Sequence, residues 1–288
     1  MVTITKTFLA AVALSAVQAL PQQSLTTVMT PSTATATPAA AAPSLDPELK
    51  KALADATTEI ERLKLLLTTQ GQTLLTGEDL KKATVFDFND AKPAKGAKGG
   101  ASKAANAGTF PILQRLGIST TYFDLEPCGM NTPHVHPRAS EWYTTTEGQI
   151  DFGYITENNL VESGNAEIAG TLKKYQGTVF PQGSIHYQIN NQCVKAKALG
   201  TLNSADPGTV QAAQAFFGLN ADVVNATLGF PKSINGTNIE EFRKYIPANL
   251  ARSVDICLAK CKNQGYPTGN STSTPTATAV AGSYSKGY

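Results

Sequence analysis

Gly129-Met130-Asn131-Thr132-Pro133-His134-Val135-His136-Pro137-Arg138-Ala139-Ser140-Glu141, closing at Gly148, is the stretch from which the fold can be read. His134 and His136 stand at i and i+2, so on a β-strand their imidazoles point to one face. Glu141 follows near the start of the next strand. Further along, Pro181-Gln182-Gly183-Ser184-Ile185-His186 ends a Pro/Gly turn and opens another strand. A third imidazole can therefore join the first two from a separate strand. These are the only three histidines of the chain. Three neutral imidazoles and one carboxylate suit a divalent transition metal, with manganese or iron favoured by the carboxylate. Four protein ligands would leave two octahedral positions open to water, oxygen or substrate, the feature that separates a catalytic metal site from a structural one.

Around this centre, short apolar-alternating runs lie between Gly, Pro and Asn. They are Ile118–Leu125, Gln149–Thr156, Glu167–Tyr175, Ile185–Ile189 and Val194–Leu202, a spacing that predicts a β-sandwich or barrel. Helical patterns follow over Thr209–Phe217, Ala221–Leu228, Ile239–Tyr245 and Ala248–Lys262. Upstream, Leu49, Leu53, Ala56, Ile60, Leu63 and Leu67 form one apolar stripe, which predicts a single helix over 44–69, packed on its own domain in preference to a short coiled coil joining subunits. Ala91–Gly108, rich in Lys, Gly and Ala, is read as a solvated loop. The chain has 288 residues, 41% hydrophobic, enough for one sizeable core. The net charge of +2 gives no reason to expect nucleic acid as a partner.

The ends of the chain speak to location. Residues 1–19 hold one positive charge, Lys6, an apolar stretch from Phe8 to Val17, and Val17-Gln18-Ala19 at the expected cleavage point. This reads as a secretory signal peptide. No other segment has the run of about 18 apolar residues needed to span a membrane. The expectation is an extracellular, soluble protein, in some settings wall-associated. Residues 20–44 and 265–288 are Thr/Ala/Pro- and Ser/Thr-rich and are expected to be disordered. Asn225, Asn235 and Asn270 head glycosylation sequons. Cys128, Cys193, Cys257 and Cys261 are an even set, read in a secreted chain as disulfides with three possible connectivities.

The two histidine stretches resemble the paired motifs of the cupins. The first motif, G-x5-H-x-H-x3,4-E-x6-G, is matched at His134, His136, Glu141 and Gly148, with Gly129 one residue nearer to His134 than the pattern's leading glycine. The second, G-x5-P-x-G-x2-H-x3-N, is matched at Pro181, Gly183, His186 and Asn190, with Tyr175 where its leading glycine would stand. Within cupins, His134–Glu141 and His186–Asn190 resemble the germin and germin-like branch. Pro127–His134 and Asp206–Gln211 are similar to its fungal, spherulin-like members. The resemblance covers about Val85 to Cys261. It implies a mainly β fold: a single jelly-roll β-barrel over 85–205, a helical extension over 45–84 before it and another over 206–264 after it. It implies Mn2+, with Fe2+ or another divalent ion as alternative, at His134, His136, Glu141 and His186. It also implies a homo-oligomer, trimer or hexamer.

The activity that the resemblance implies is that of an oxidoreductase of the oxalate oxidase or superoxide dismutase type, acting on a small molecule. Asn131 matches one of two pocket asparagines of the germin pattern and would touch the bound ligand. The other is replaced by Thr121, a shorter donor. A single motif pair argues against two-cupin oxalate decarboxylation. The competing reading is a non-catalytic wall- or spore-associated structural or binding glycoprotein with a metal-stabilised fold. Arg138 is expected to pair with a carboxylate, and Trp142, Tyr143 and Tyr187 to point away from the barrel interior. If the strands of His134 and His186 run antiparallel, Cys128 can meet Cys193. Cys257 and Cys261, at i and i+4 of a predicted helix, can then meet each other.

Overall fold

The computed structural model describes residues 46–229, 247, 249–252 and 255–264. The expected signal peptide, Asn235, Asn270, the tail over 265–288 and the helical pattern over Ile239–Tyr245 lie outside them. Two helices come first, α1 (Pro47–Asp55) and α2 (Glu59–Leu67). The single helix expected over 44–69 is broken at Ala56–Thr58. The reason is a reciprocal cap written in the sequence as Thr58-Glu59-Ile60-Glu61. The Thr58 hydroxyl accepts the Glu61 N–H at 3.3 Å, and the Glu61 carboxylate accepts the Thr57 and Thr58 N–H groups at 2.9 and 3.0 Å. Leu53 and Ala56 are buried but Ile60 is exposed, so the apolar stripe does not run through the break. A two-strand hairpin, β1 (Thr68–Thr69) with β2 (Thr73–Leu74), and helix α3 (Gly77–Thr84) come next.

The body of the molecule is two antiparallel sheets. Its strands are β3 (Gly100–Ala105), β4 (Ser119–Leu125), β5 (Gly129–Val135), β6 (Glu141–Glu147), β7 (Gln149–Ile155) and β8 (Ile168–Lys173). They continue with β9 (Gly177–Phe180), β10 (Ile185–Ile189), β11 (Ala196–Leu202) and β12 (Val210–Gln211). After helices α4 (Ala212–Phe217) and α5 (Ala221–Thr227) come β13 (Ala251–Arg252) and α6 (Asp255–Asn263). One sheet has the order β3-β4-β11-β6-β9; the other has β12-β5-β10-β7-β8, with β13 also pairing β5. Inward-facing alternate residues of both sheets, Phe123, Leu125, Tyr143, Ile150, Leu172, Phe180, Ala196 and Ala198, share one core. This is the mainly β architecture expected.

The structure corrects further sequence expectations. The pattern read as helical over Ala248–Lys262 holds a strand at Ala251–Arg252, paired with β5, and its helix begins only at Asp255. The stretch 91–108 is not all loop, because β3 lies inside it and pairs with β4 along its length. Its Gly-Ala-Ser-Lys-Ala-Ala sequence lacks the β-branched and aromatic residues by which strands are recognised. Its place at the sheet edge asks little of those residues.

The disulfides also differ from the expected pairs. Cys128 bonds Cys257, with Cα atoms 5.8 Å apart, and Cys193 bonds Cys261, with Cα atoms 5.1 Å apart. Residues at i and i+4 of a helix have suitably spaced Cα atoms but near-parallel Cβ vectors, which hold the Cβ atoms roughly 5–6 Å apart. A disulfide needs Cβ atoms about 3.8 Å apart. Both cysteines of α6 therefore reach outward together, one to each of the two barrel cysteines.

Candidate metal centre

The centre forms where β5, β6 and β10 come together. In β5 and β10 the antiparallel register sets His186 opposite His134. Glu141 opens β6, and His136 follows the end of β5. All four side chains are buried, His136 least at 8% exposed. Their ligand atoms lie within 4.8 Å of one another, a group able to hold a metal ion. Glu141 Oε2 is 3.2 Å from both His136 Nε2 and His186 Nε2.

Backbone carbonyls decide which ring nitrogens face inward. His134 Nδ1 meets Thr132 O at 2.8 Å, His136 Nδ1 meets Gly208 O at 2.7 Å, and His186 Nδ1 meets Ser184 O at 3.0 Å. A carbonyl can only accept, so each Nδ1 carries the proton and each Nε2 is left for the centre. A neutral imidazole held this way presents a bare lone pair to the Glu141 carboxylate, acceptor against acceptor. Only a cation or a proton between them relieves the contact. This is the outer shell of a metal-binding imidazole, and the donor set fits a divalent ion.

In the metal-free chain the same contacts shift how these groups titrate. Burial works against the His136 imidazolium, but the hydrogen bond and charge of Glu141 outweigh it and raise its pKa. Burial also opposes the Glu141 carboxylate, yet the bonds from His136 and His186 lower it to about 2. His134 is pushed down to about 3 by burial and by its His186 neighbour, so it stays neutral.

Several residues that build the centre were not singled out from the sequence. A methyl group on Gly200 of β11 would stand 2.0 Å from Glu141 Oε1, so only glycine leaves room for the carboxylate. Phe180 stacks on the His186 ring at 4.4 Å with planes 14° apart. Gln188 is fully buried and accepts the Asn131 side-chain N–H at 2.7 Å. The pair leaves Asn131 Oδ1 and Gln188 Nε2 enclosed without a partner. Gln188 stands two residues from His186 on the same strand, and that period was the available signal.

The aromatic residues divide. Trp142 is more than half exposed and bonds Thr144 at 2.8 Å, and the Tyr187 hydroxyl donates to Glu167 at 2.8 Å, as expected of outward positions. Tyr143 is the correction. It is fully buried inside the barrel, and its hydroxyl finds no partner among the described residues. Being two residues from Glu141, it shares that ligand's face by the same alternation that turns Trp142 outward. Arg138 pairs with the Asp206 carboxylate at 2.9 Å and donates Nε–H to the Asp206 carbonyl at 2.8 Å. That clasp closes the loop whose Gly208 carbonyl orients His136. Asn225, the one sequon asparagine among the described residues, lies half-buried on α5.

Comparison with known proteins agrees with this geometry. Residues 86–234 match the family model described as Cupin. The chain is a cupin. Spherulin-1A of Physarum polycephalum is 35% identical over 216 residues, covering 75% of this cupin and 79% of that protein. Germin-like protein 4-1 of Oryza sativa subsp. japonica is 38% identical over 132 residues, 46% of this chain and 52% of the plant protein. Among solved structures, a recombinant oxalate oxidase in complex with glycolate aligns with a TM-score of 0.46 and 24% identity, over 60% of this chain and 85% of that one. No helix among the described residues is long and apolar enough to cross a membrane.

Proposed function

We propose that this cupin is a secreted manganese-binding protein with oxidoreductase chemistry of the germin type. The observation that carries the reading is the set of three carbonyl-locked imidazoles facing one buried carboxylate. His134, His136 and His186 would hold the ion through Nε2, and Glu141 through Oε2. Bound there, manganese supplies a one-electron redox couple and a Lewis acid. The chain's own part is to hold that set rigid and to keep water out. Thr132, Ser184 and Gly208 fix the rings, Gly200 gives the carboxylate its place, and Phe180 walls the centre on the His186 side. Asn131 would touch the bound ligand, and to do so its side-chain N–H, now given to Gln188, would turn to the anion. Thr121 on β4 pairs with Gly200, the residue against Glu141, and stands where a second amide would favour oxalate. The weaker recognition this gives favours superoxide over oxalate.

The test is turnover by manganese-loaded protein. Either hydrogen peroxide release from oxalate or removal of superoxide is expected, and His186→Ala should abolish it while the protein remains folded. Activity that survives His186→Ala would not belong to this centre. A second reading has its own support. The ligands are at most 8% exposed, and the similarity to Spherulin-1A spans most of both chains. These favour a wall- or spore-associated glycoprotein whose metal only stabilises the fold. Loaded protein that shows neither activity would establish that reading. Secretion, use of the three sequons and assembly into a trimer or hexamer belong to the same proposal.

A further inference from the structure

The register of β5 against β10 is broken at the centre. His186 pairs with His134, yet Gln188 pairs with Asn131, so three steps on β5 match two on β10. The extra residue lies at Thr132-Pro133. A bulge takes its residues out of the ladder, and Pro133 has no N–H to return. Thr132 is nevertheless the residue whose carbonyl holds His134 Nδ1. Something other than β10 must hold Thr132.

That partner comes from the far end of the chain. Asn249 Oδ1 accepts the Thr132 N–H at 2.9 Å and the Thr132 hydroxyl at 3.1 Å, the hydroxyl being shared with Gln211 Oε1 at 2.8 Å. Asn249 begins a strap, 249–252, that crosses the start of β5, with Ala251 opposite Met130 and Arg252 opposite Gly129. Leu250 enters the barrel core, 3% exposed, at a left-handed φ of 56°. That region crowds a side chain's Cβ against the following carbonyl, so the surrounding contacts must hold the leucine there. Its carbonyl accepts the Lys98 and Gly99 N–H groups at 3.1 and 2.5 Å. Gly99 fits because a methyl group there would lie 2.0 Å from Ala251 O. Beyond the strap, α6 is bonded to Cys128, the residue before β5, and to Cys193. None of 247–264 falls within the family-matched residues 86–234.

We infer that this disulfide-pinned strap is a positioning element for the metal centre, in which Asn249 fixes Thr132 and through it the orientation of His134. The inference rests on the metal-centre reading above. Loss of an outer-shell hydrogen bond typically costs 10–100-fold in metal affinity. Asn249→Ala removes the acceptor. Asn249→Asp keeps an oxygen for the same two donors and serves as the rescue. The Cys128→Ala/Cys257→Ala double variant releases the staple beside β5.

The experiment is a manganese(II) titration of the full chain, read by loss of the free-ion electron paramagnetic resonance signal, with thermal melts confirming a folded protein. Asn249→Ala is expected to bind ~10-fold or more weakly and Asn249→Asp within ~3-fold of wild type. The double cysteine variant is expected to behave like Asn249→Ala. Equal weakening by Ala and Asp, or no change in Asn249→Ala, overturns the role of Asn249. Unchanged affinity in a folded cysteine variant overturns the role of the staple. A wild-type chain that takes up no manganese overturns the metal-centre reading itself, and this inference with it.

Discussion

Gly200→Ala separates the fold from the metal centre more sharply than removal of a ligand does. The added methyl would stand 2.0 Å from Glu141 Oε1 and 3.1 Å from its Cδ. Ordinary contact needs roughly 3.4 Å, so the oxygen must retreat by more than about 1 Å. A metal–ligand bond tolerates only about 0.2 Å. The clash is with the end of a side chain, so the backbone of β11 need not move, and rotation of Glu141 relieves it. The cost to the metal-free fold is then that of modest overpacking, about 1–2 kcal/mol. The cost to metal binding is loss of the only carboxylate, at least ~100-fold by comparison with outer-shell losses of 10–100-fold. The assay pairs urea unfolding of the metal-free protein with manganese(II) titration of wild type, Gly200→Ala and Glu141→Gln. The reasoning predicts that Gly200→Ala binds as weakly as Glu141→Gln while staying folded. A Gly200→Ala protein with wild-type affinity would refute it, since Glu141 would then not be confined against β11.

The geometry makes three further outcomes testable. In metal-free protein the Glu141 carboxyl sits at about 2, below its ordinary 4.5. Its stabilisation is therefore complete above about pH 4.5 and is lost as pH falls toward 2, on the order of 3 kcal/mol in all. Urea unfolding between about pH 5 and pH 3 should show this loss in wild type and much less of it in Glu141→Gln; parallel curves would contradict it. Tyr143→Phe removes a buried hydroxyl that has no partner among the described residues, so stability should stay level or rise by up to ~1 kcal/mol, and a loss larger than that in the same assay would mean the hydroxyl is satisfied. Peptide mapping without reductant should recover Cys128 with Cys257 and Cys193 with Cys261; recovery of Cys128 with Cys193 would contradict the structure.

The parts of the molecule legible in the sequence are those where one residue type has one job. Imidazoles at i and i+2, a carboxylate near the next strand and a third imidazole after a Pro/Gly turn gave the ligand set, because few other residues serve there. The strands with alternating apolar residues were legible for the same reason. What stayed hidden depends on contact between distant segments. Gly200 is ordinary until the Glu141 carboxylate is seen against it. The Thr132, Ser184 and Gly208 carbonyls carry no side-chain signature at all. β3 is built from Gly, Ala, Ser and Lys, whose strand character comes from its neighbour β4. The disulfide pairs depend on Cβ direction, which spacing along a helix does not report. Two of the differences do have a local signal: Thr58-Glu59-Ile60-Glu61 as a helix start, and Tyr143 two residues from Glu141.

The central claim is that His134, His136, Glu141 and His186 together hold a divalent metal ion. The most direct measurement is metal content of the purified protein, beside that of His186→Ala, with manganese, iron, zinc, copper and nickel each quantified per chain. The account predicts one ion per chain, with manganese foremost, and its loss in the folded His186→Ala variant. A wild-type protein that carries none and takes up none on titration, or a variant that keeps its ion, would contradict it.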